Sequence, residues 1–137
     1  MTTSPMKSIS TFALAALLLV LAGCADNASP DNVDRRSVER WNYLIAHQAE
    51  KAYGYLTPGF RATQPRDSYA TAMNNRPVQW KSVRFNHKEC DAERCMVAVN
   101  VKFQIKIPGA GSMTEAASIQ NETWVLVKGK WYFLPSD

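Results

Sequence analysis

The sequence predicts an α+β domain, in which a long N-terminal helix and a short second helix pack on an antiparallel sheet. Three observations predict it. Apolar residues recur at spacings of three and four up to Leu56, the period changes to two after Pro77, and clusters of turn-forming residues separate the alternating runs that follow.

Val38, Trp41, Leu44, Ile45, Ala49, Ala52, Tyr53 and Leu56 form the first stripe, so one helix is expected over residues 35–56, with Asp34 as its cap. Arg36, Glu39, Arg40, Glu50 and Lys51 fall mostly on the opposite face. Thr57-Pro58-Gly59 stops this helix, because Pro58 disfavours helical backbone at Thr57 and Gly59 permits a turn. A second helix is expected over residues 65–73, burying Tyr69 and Met73 and ending at Asn74-Asn75-Arg76-Pro77.

Trp80, Val83 and Phe85 mark a first strand whose alternation slips between Ser82 and Val83, which predicts a bulge. The next run alternates most clearly. Cys95, Val97, Val99, Val101, Phe103, Ile105 and Ile107 point one way, and Met96, Ala98, Asn100, Lys102, Gln104 and Lys106 the other, so one face is core and the other grows wetter. Pro108-Gly109-Ala110-Gly111-Ser112 breaks that strand. A third strand is expected over residues 117–127, a tight turn at Lys128-Gly129-Lys130, and a closing strand over residues 131–134.

The N-terminal segment is a signal rather than a span. One positive residue, Lys7, precedes a short apolar core and small residues, and the apolar stretch of residues 12–22 falls short of the roughly 20 needed to cross a bilayer. Leu21-Ala22-Gly23-Cys24 resembles a bacterial lipobox. The resemblance implies cleavage before Cys24 and acyl chains on that cysteine, and two or three chains anchor stably where one does not. Residues 1–23 are then a lipoprotein signal peptide, 24–34 a lipidated tether, and 35–137 a single domain. Ala25 follows the lipidated cysteine, and in that class this favours the outer membrane, facing the periplasm. The tether, ADNASPDNVD, is small and polar, contains Pro30, and reaches at most about 35 Å.

Removing 23 of the 137 residues leaves 114, enough for one domain with a modest core. Only Lys7 of the 16 basic residues is lost, so 15 remain against 12 acidic residues, a balance of +3. An exported, slightly basic domain meets anionic headgroups or polymers, and export excludes nucleic acid as a partner.

Cys90 and Cys95 remain as an even pair in an oxidising compartment and predict a disulfide. A hairpin turning at Ala92-Glu93 sets Asp91 opposite Arg94 and Cys90 opposite Cys95. The cysteines then form a non-hydrogen-bonded pair, with Cα atoms about 4.5 Å apart, within a disulfide's span. A redox couple usually spaces its cysteines two apart, and a zinc site needs a second pair.

The segment Arg40-Trp41-Asn42-Tyr43-Leu44-Ile45, with Ala52-Tyr53-Gly54-Tyr55-Leu56-Thr57-Pro58-Gly59-Phe60-Arg61, resembles the opening helix of nuclear-transport-factor-2-like domains. Glu122-Thr123-Trp124-Val125 with Gly129-Lys130-Trp131-Tyr132-Phe133 resembles their closing hairpin. The resemblance implies a long helix across a strongly curved sheet that encloses a conical pocket. It spans binding modules, isomerases and dehydratases, so it does not assign an activity.

Isomerases of that kind use a carboxylate base in the pocket, and here the aspartates fall in tether, helix start, turn or tail. Glu122 is the one acidic residue within an expected strand. Buried beside Trp124 and Leu126 it could act as a base; otherwise it points to solvent or pairs with Lys102 or Lys106. His47 and His87 read as surface residues, and no metal or cofactor is expected. Trp41, Tyr53, Tyr69, Trp80, Phe103 and Trp124 could line a ligand pocket, or with Trp131 simply form core.

Three readings stand. The first is a lipid-anchored, non-enzymatic domain binding a small apolar ligand or an envelope protein. The second is a pocket enzyme using Glu122, and the third is a homodimer formed through the open sheet face bearing Asn100, Lys102 and Gln104.

Overall fold

In the computed structural model, Met1 and residues 29–136 are described. The expected signal peptide, Cys24 and residues 25–28 lie outside the described residues, Met1 apart. A 3₁₀ turn at Pro30–Asn32 leads into α1, Val33–Ile45. Val33 is fully buried, so the core begins two residues before the expected helix start. Asn32, not Asp34, occupies the cap position, and the Asp34 carboxylate instead accepts a 2.6 Å hydrogen bond from Lys88 Nζ.

The helix expected over residues 35–56 is broken. α1 ends at Ile45, a short α2 covers Ala49–Ala52, and a 3₁₀ turn covers Tyr53–Tyr55. His47 takes a left-handed backbone (φ 55°). The His47 amide then donates to the Leu44 carbonyl at 3.1 Å and the Gln48 amide to Tyr43 at 2.8 Å, the paired bonds of a Schellman stop.

Thr57-Pro58-Gly59 ends one helical stretch and also starts another. Thr57 Oγ1 accepts from the Phe60 amide at 3.3 Å, Pro58 occupies a first-turn position where no amide donor is needed, and α3 runs Pro58–Thr63. α4 follows at Arg66–Asn74, close to expectation. It is tied to α2 by the Ala49 amide, which donates to Asn74 Oδ1 at 3.3 Å.

The strands β1, Gln79–Cys90, β2, Arg94–Lys106, β3, Met113–Val127, and β4, Lys130–Leu134, form one antiparallel meander in the order β1-β2-β3-β4. The register slips twice in β1, between Trp80 and Ser82 and between Phe85 and His87, so the first bulge lies at Lys81 and a second at Asn86. The β1 and β2 hairpin turns as its sequence requires. Cys90 pairs with Cys95, their Cα atoms are 4.1 Å apart, and a disulfide joins them.

Asp91 holds the tip, its carboxylate accepting from the Glu93 and Arg94 amides at 2.9 and 2.8 Å. These two bonds hold its pKa below the usual aspartate value. Lys128 (φ 49°) and Gly129 (φ 76°) make the two-residue β3 to β4 turn, whose twist suits a hairpin.

α1 lies against β1 and β2, and the core fills between them with Trp41, Leu44, Leu56, Val97, Val99, Val101, Trp124 and Trp131. The segment after the 3₁₀ turn touches the sheet's far edge, where Leu56 bridges Phe133 in parallel and the Thr57 amide donates to the Phe133 carbonyl at 3.0 Å. On the outward face Asn100 and Lys102 are exposed as expected, together with Met96 and Ile119.

Candidate functional site

β3 alternates so that Glu122, Trp124 and Leu126 face α1, and Glu122 lies opposite Val97 of β2. The Glu122 side chain is buried and paired neither with solvent nor with Lys102 or Lys106. Its Oε1 accepts from Arg40 Nη1 and Trp41 Nε1, both at 2.7 Å. Its Oε2 accepts from Ser37 Oγ at 2.6 Å and Trp124 Nε1 at 2.9 Å. A carboxylate offers about four lone-pair directions, and four donors use them all.

Three of these donors come from one face of α1. Val33, Arg36, Ser37, Arg40, Trp41 and Leu44 are its buried residues, at spacings of three and one. Arg36 and Arg40, expected on the solvent face, are therefore on the core stripe. Arg36 Nε donates to the Trp131 carbonyl at 3.1 Å, and burial lowers its pKa. The Arg40 guanidinium lies 3.8 Å from the Phe133 ring centroid, so the apolar ring favours the cation as well as covering it.

Two adjoining cavities open on this side of the sheet. One, of about 350 Å³, runs between α1 and the sheet past Trp41, Trp80, Phe103, Gln120, Glu122 and Phe133. The other, of about 300 Å³, lies between α3, α4 and β4, against Phe60, Gln64, Tyr69, Met73, Phe133 and Pro135. Arg40, Met73, Arg76, Phe133 and Ser136 border both. Volumes of this size match small-ligand sites.

Of the aromatic residues expected to line a pocket, Trp41, Trp80 and Phe103 border the first cavity and Tyr69 the second. Trp41 meets Trp80 edge to face at 5.5 Å between centroids. Tyr53 and Trp124 border neither. Tyr53 packs on Tyr69 and donates its hydroxyl to the Arg61 and Gln64 carbonyls at 3.0 and 2.7 Å, which closes α3. Trp124 is fully buried and serves Glu122.

Sequence reasoning missed Ser37, Arg40, Met73, Arg76 and Phe133 as site residues. The signal for two of them was present. Ser37 and Arg40 fall four residues before Trp41 and Leu44, on the same helical row.

His47 is exposed at the α1 stop, and His87 lies on β1 with Nε2 3.5 Å from Glu89. Among the described residues no three His, Cys, Asp or Glu side chains gather as a metal site. No helix among them is long and apolar enough to cross a membrane.

No protein-family model matches the sequence, and no curated protein sequence matches it either. Solved structures do. A SEC-C-motif-containing protein from Rhodopseudomonas palustris superposes with a TM-score of 0.60 at 17% identity, over 84% of this chain and 80% of its own. A Campylobacter jejuni protein described as an NTF2-like transpeptidase gives 0.52 at 15% identity, over 77% of this chain and 99% of its own. A Novosphingobium aromaticivorans protein described as a scytalone dehydratase gives 0.52 at 16% identity, over 75% and 77%. At these identities the likeness concerns fold and not activity. The fold of this chain, helices laid against one face of a four-stranded antiparallel meander, is similar to that of these solved structures, one of them described as NTF2-like.

Proposed function

We propose that the chain is a non-catalytic binding module of a bacterial envelope, held by lipid on Cys24 at the periplasmic face of the outer membrane, and that its cavity takes a small apolar ligand. The observation that carries this reading is the saturation of Glu122. A general base must offer a free lone pair to the proton it removes, and the four donors on Glu122 leave none. An isomerase or dehydratase reading requires that carboxylate to be free. The apolar part of the cavity wall, with Trp41, Trp80, Met73 and Phe133, suits an apolar body instead.

The test uses the full chain in a diderm bacterium, with radiolabelled palmitate and a photoactivatable decanol. Palmitate is expected on the wild-type chain in the outer-membrane fraction and absent from Cys24→Ala. Decanol adducts are expected on peptides carrying Met73 and Phe133. Adducts confined to exposed surface would sink the binding reading, and unlabelled wild type would sink the anchor.

A further inference from the structure

We propose that the end of the domain where the tether enters docks on anionic phospholipid headgroups, through the basic corner that Lys128 and Lys130 form at the β3 to β4 turn, with Arg61 behind them. The inference rests on the reading that lipid on Cys24 anchors the chain, and it names the surface that then meets the bilayer.

Topology places the corner. β1 and β3 end, and β2 and β4 begin, at one end of the meander, so both two-strand turns lie there. The chain enters the domain at the same end. Lys88 Nζ, two residues before the end of β1, donates to the Pro30 carbonyl at 3.0 Å and to Asp34 at 2.6 Å, which pins the start of α1 beside it. The Leu126 amide donates to the Glu93 carbonyl at 2.8 Å and joins the first turn to the end of β3. The stretch from Cys24 to Pro30 spans at most about 20 Å, half the roughly 40 Å length of the 13-residue β2, so the tether holds this end and not the far one against the bilayer.

Charge separates the two turns. Around the first, Glu89, Asp91 and Glu93 outnumber Arg94, since Lys88 is already paired with Asp34. The second carries Lys128 and Lys130 and no acid. Arg61 and Lys130 lie 5.6 and 5.7 Å from the Tyr132 ring centroid, so one β4 side chain gathers both cations. Among the described residues none of the three cations has a carboxylate within ion-pair distance. The acids of the first turn stand two strand spacings from β4, about 10 Å, which is roughly one Debye length at physiological salt.

Lys128 adds a second observation. Its φ of 49° is a backbone that asparagine or glycine takes with less strain, so a lysine there points to a use for its charge. A turn is convex, and its cations suit a plane of headgroups, which needs no enclosing wall.

The experiment uses the full lipidated chain on vesicles of phosphatidylcholine alone or of phosphatidylcholine with phosphatidylglycerol. A membrane-impermeant acetylating reagent, kept to low extents of reaction, reads each lysine. Acetylation of Lys128 and Lys130 is expected to slow at least about tenfold on the anionic vesicles relative to the neutral ones, and to recover in high salt. Lys81, Lys102 and Lys106, exposed on β1 and β2 away from this end, are expected to react equally on both. Lys128→Asn suits the left-handed turn and removes one charge, so it is expected to cut the slowing at Lys130 by about fivefold, one basic residue's share.

Equal rates at Lys128 and Lys130 on the two vesicles overturn the docking surface while the lipid anchor stands. Slowing shared equally by Lys81 and Lys102 overturns it as well. A chain that stays with neither vesicle overturns the anchor and this inference together.

Discussion

Arg40 belongs to two neighbourhoods that treat polar groups oppositely. Its Nη1 joins a cluster in which Glu122 accepts four hydrogen bonds, whereas its Nε and the nearby Tyr69 hydroxyl have none. Both neighbourhoods are buried, so burial does not separate them. The balance of donors and acceptors does. A closed cluster holds α1 to β3, and beside it two buried donors find no acceptor within the chain.

Glu122→Ala should have the largest effect. It strands a buried guanidinium and three further donors, and the full chain should lose about 3–5 kcal/mol of unfolding free energy in a denaturant titration. A loss under about 1 kcal/mol would show that the cluster is not what holds the helix. Ser37→Ala removes one of four donors and should lose about 2 kcal/mol, the range for a hydrogen bond to a charged group. The doubly substituted Cys90→Ser/Cys95→Ser chain should lose a similar amount, about 2 kcal/mol for so short a loop. Cys95 pairs with Trp124, so this variant also tests whether the hairpin register supports the cluster.

Tyr55 is an intermediate case, half-buried and donating to Glu39 at 3.1 Å. Burial, then the charge and hydrogen bond of Glu39, push its pKa from 10.0 up to about 12. The folded state therefore favours the neutral phenol. That contribution should be complete below pH 10.0 and lost as pH rises toward about 12, and Tyr55→Phe should remove this alkaline dependence from unfolding curves. Tyr69→Phe should have the smallest effect and the opposite sign. Removing an unpaired buried hydroxyl should leave stability unchanged or raise it by up to about 1 kcal/mol, and a loss above about 1 kcal/mol would mean the hydroxyl is paired after all.

Where the signal is local, the fold was legible. The alternation of Cys95, Val97, Val99 and Val101 appears as four buried positions on β2, and the Asp91 to Arg94 tip closes where its spacing requires. The helical segment was harder. Ala49 and Ala52 are buried, so apolar periodicity runs past a stop that depends on one left-handed residue, His47. A residue with a side chain gives little local warning that it will adopt that backbone. Thr57-Pro58-Gly59 was ambiguous for a related reason, because a proline that cannot continue one helix is well suited to begin the next.

The candidate site was legible only in part. Trp41, Trp80, Phe103 and Tyr69 stand out as large amphipathic residues, but Arg36 and Arg40 look like a solvated face until something buries their charge. For Arg40 that something is Glu122, 82 residues away, with Ser37 and Trp41 at separations of 85 and 81 completing the set. By itself the sequence determined the strand pattern, the hairpin tip and its cysteine pair, because these rest on backbone preference and short-range spacing. The tertiary structure alone decided that Glu122 is satisfied and Tyr69 is not. A buried polar group takes its role from partners that chain folding brings to it, and no local pattern records which donors will arrive.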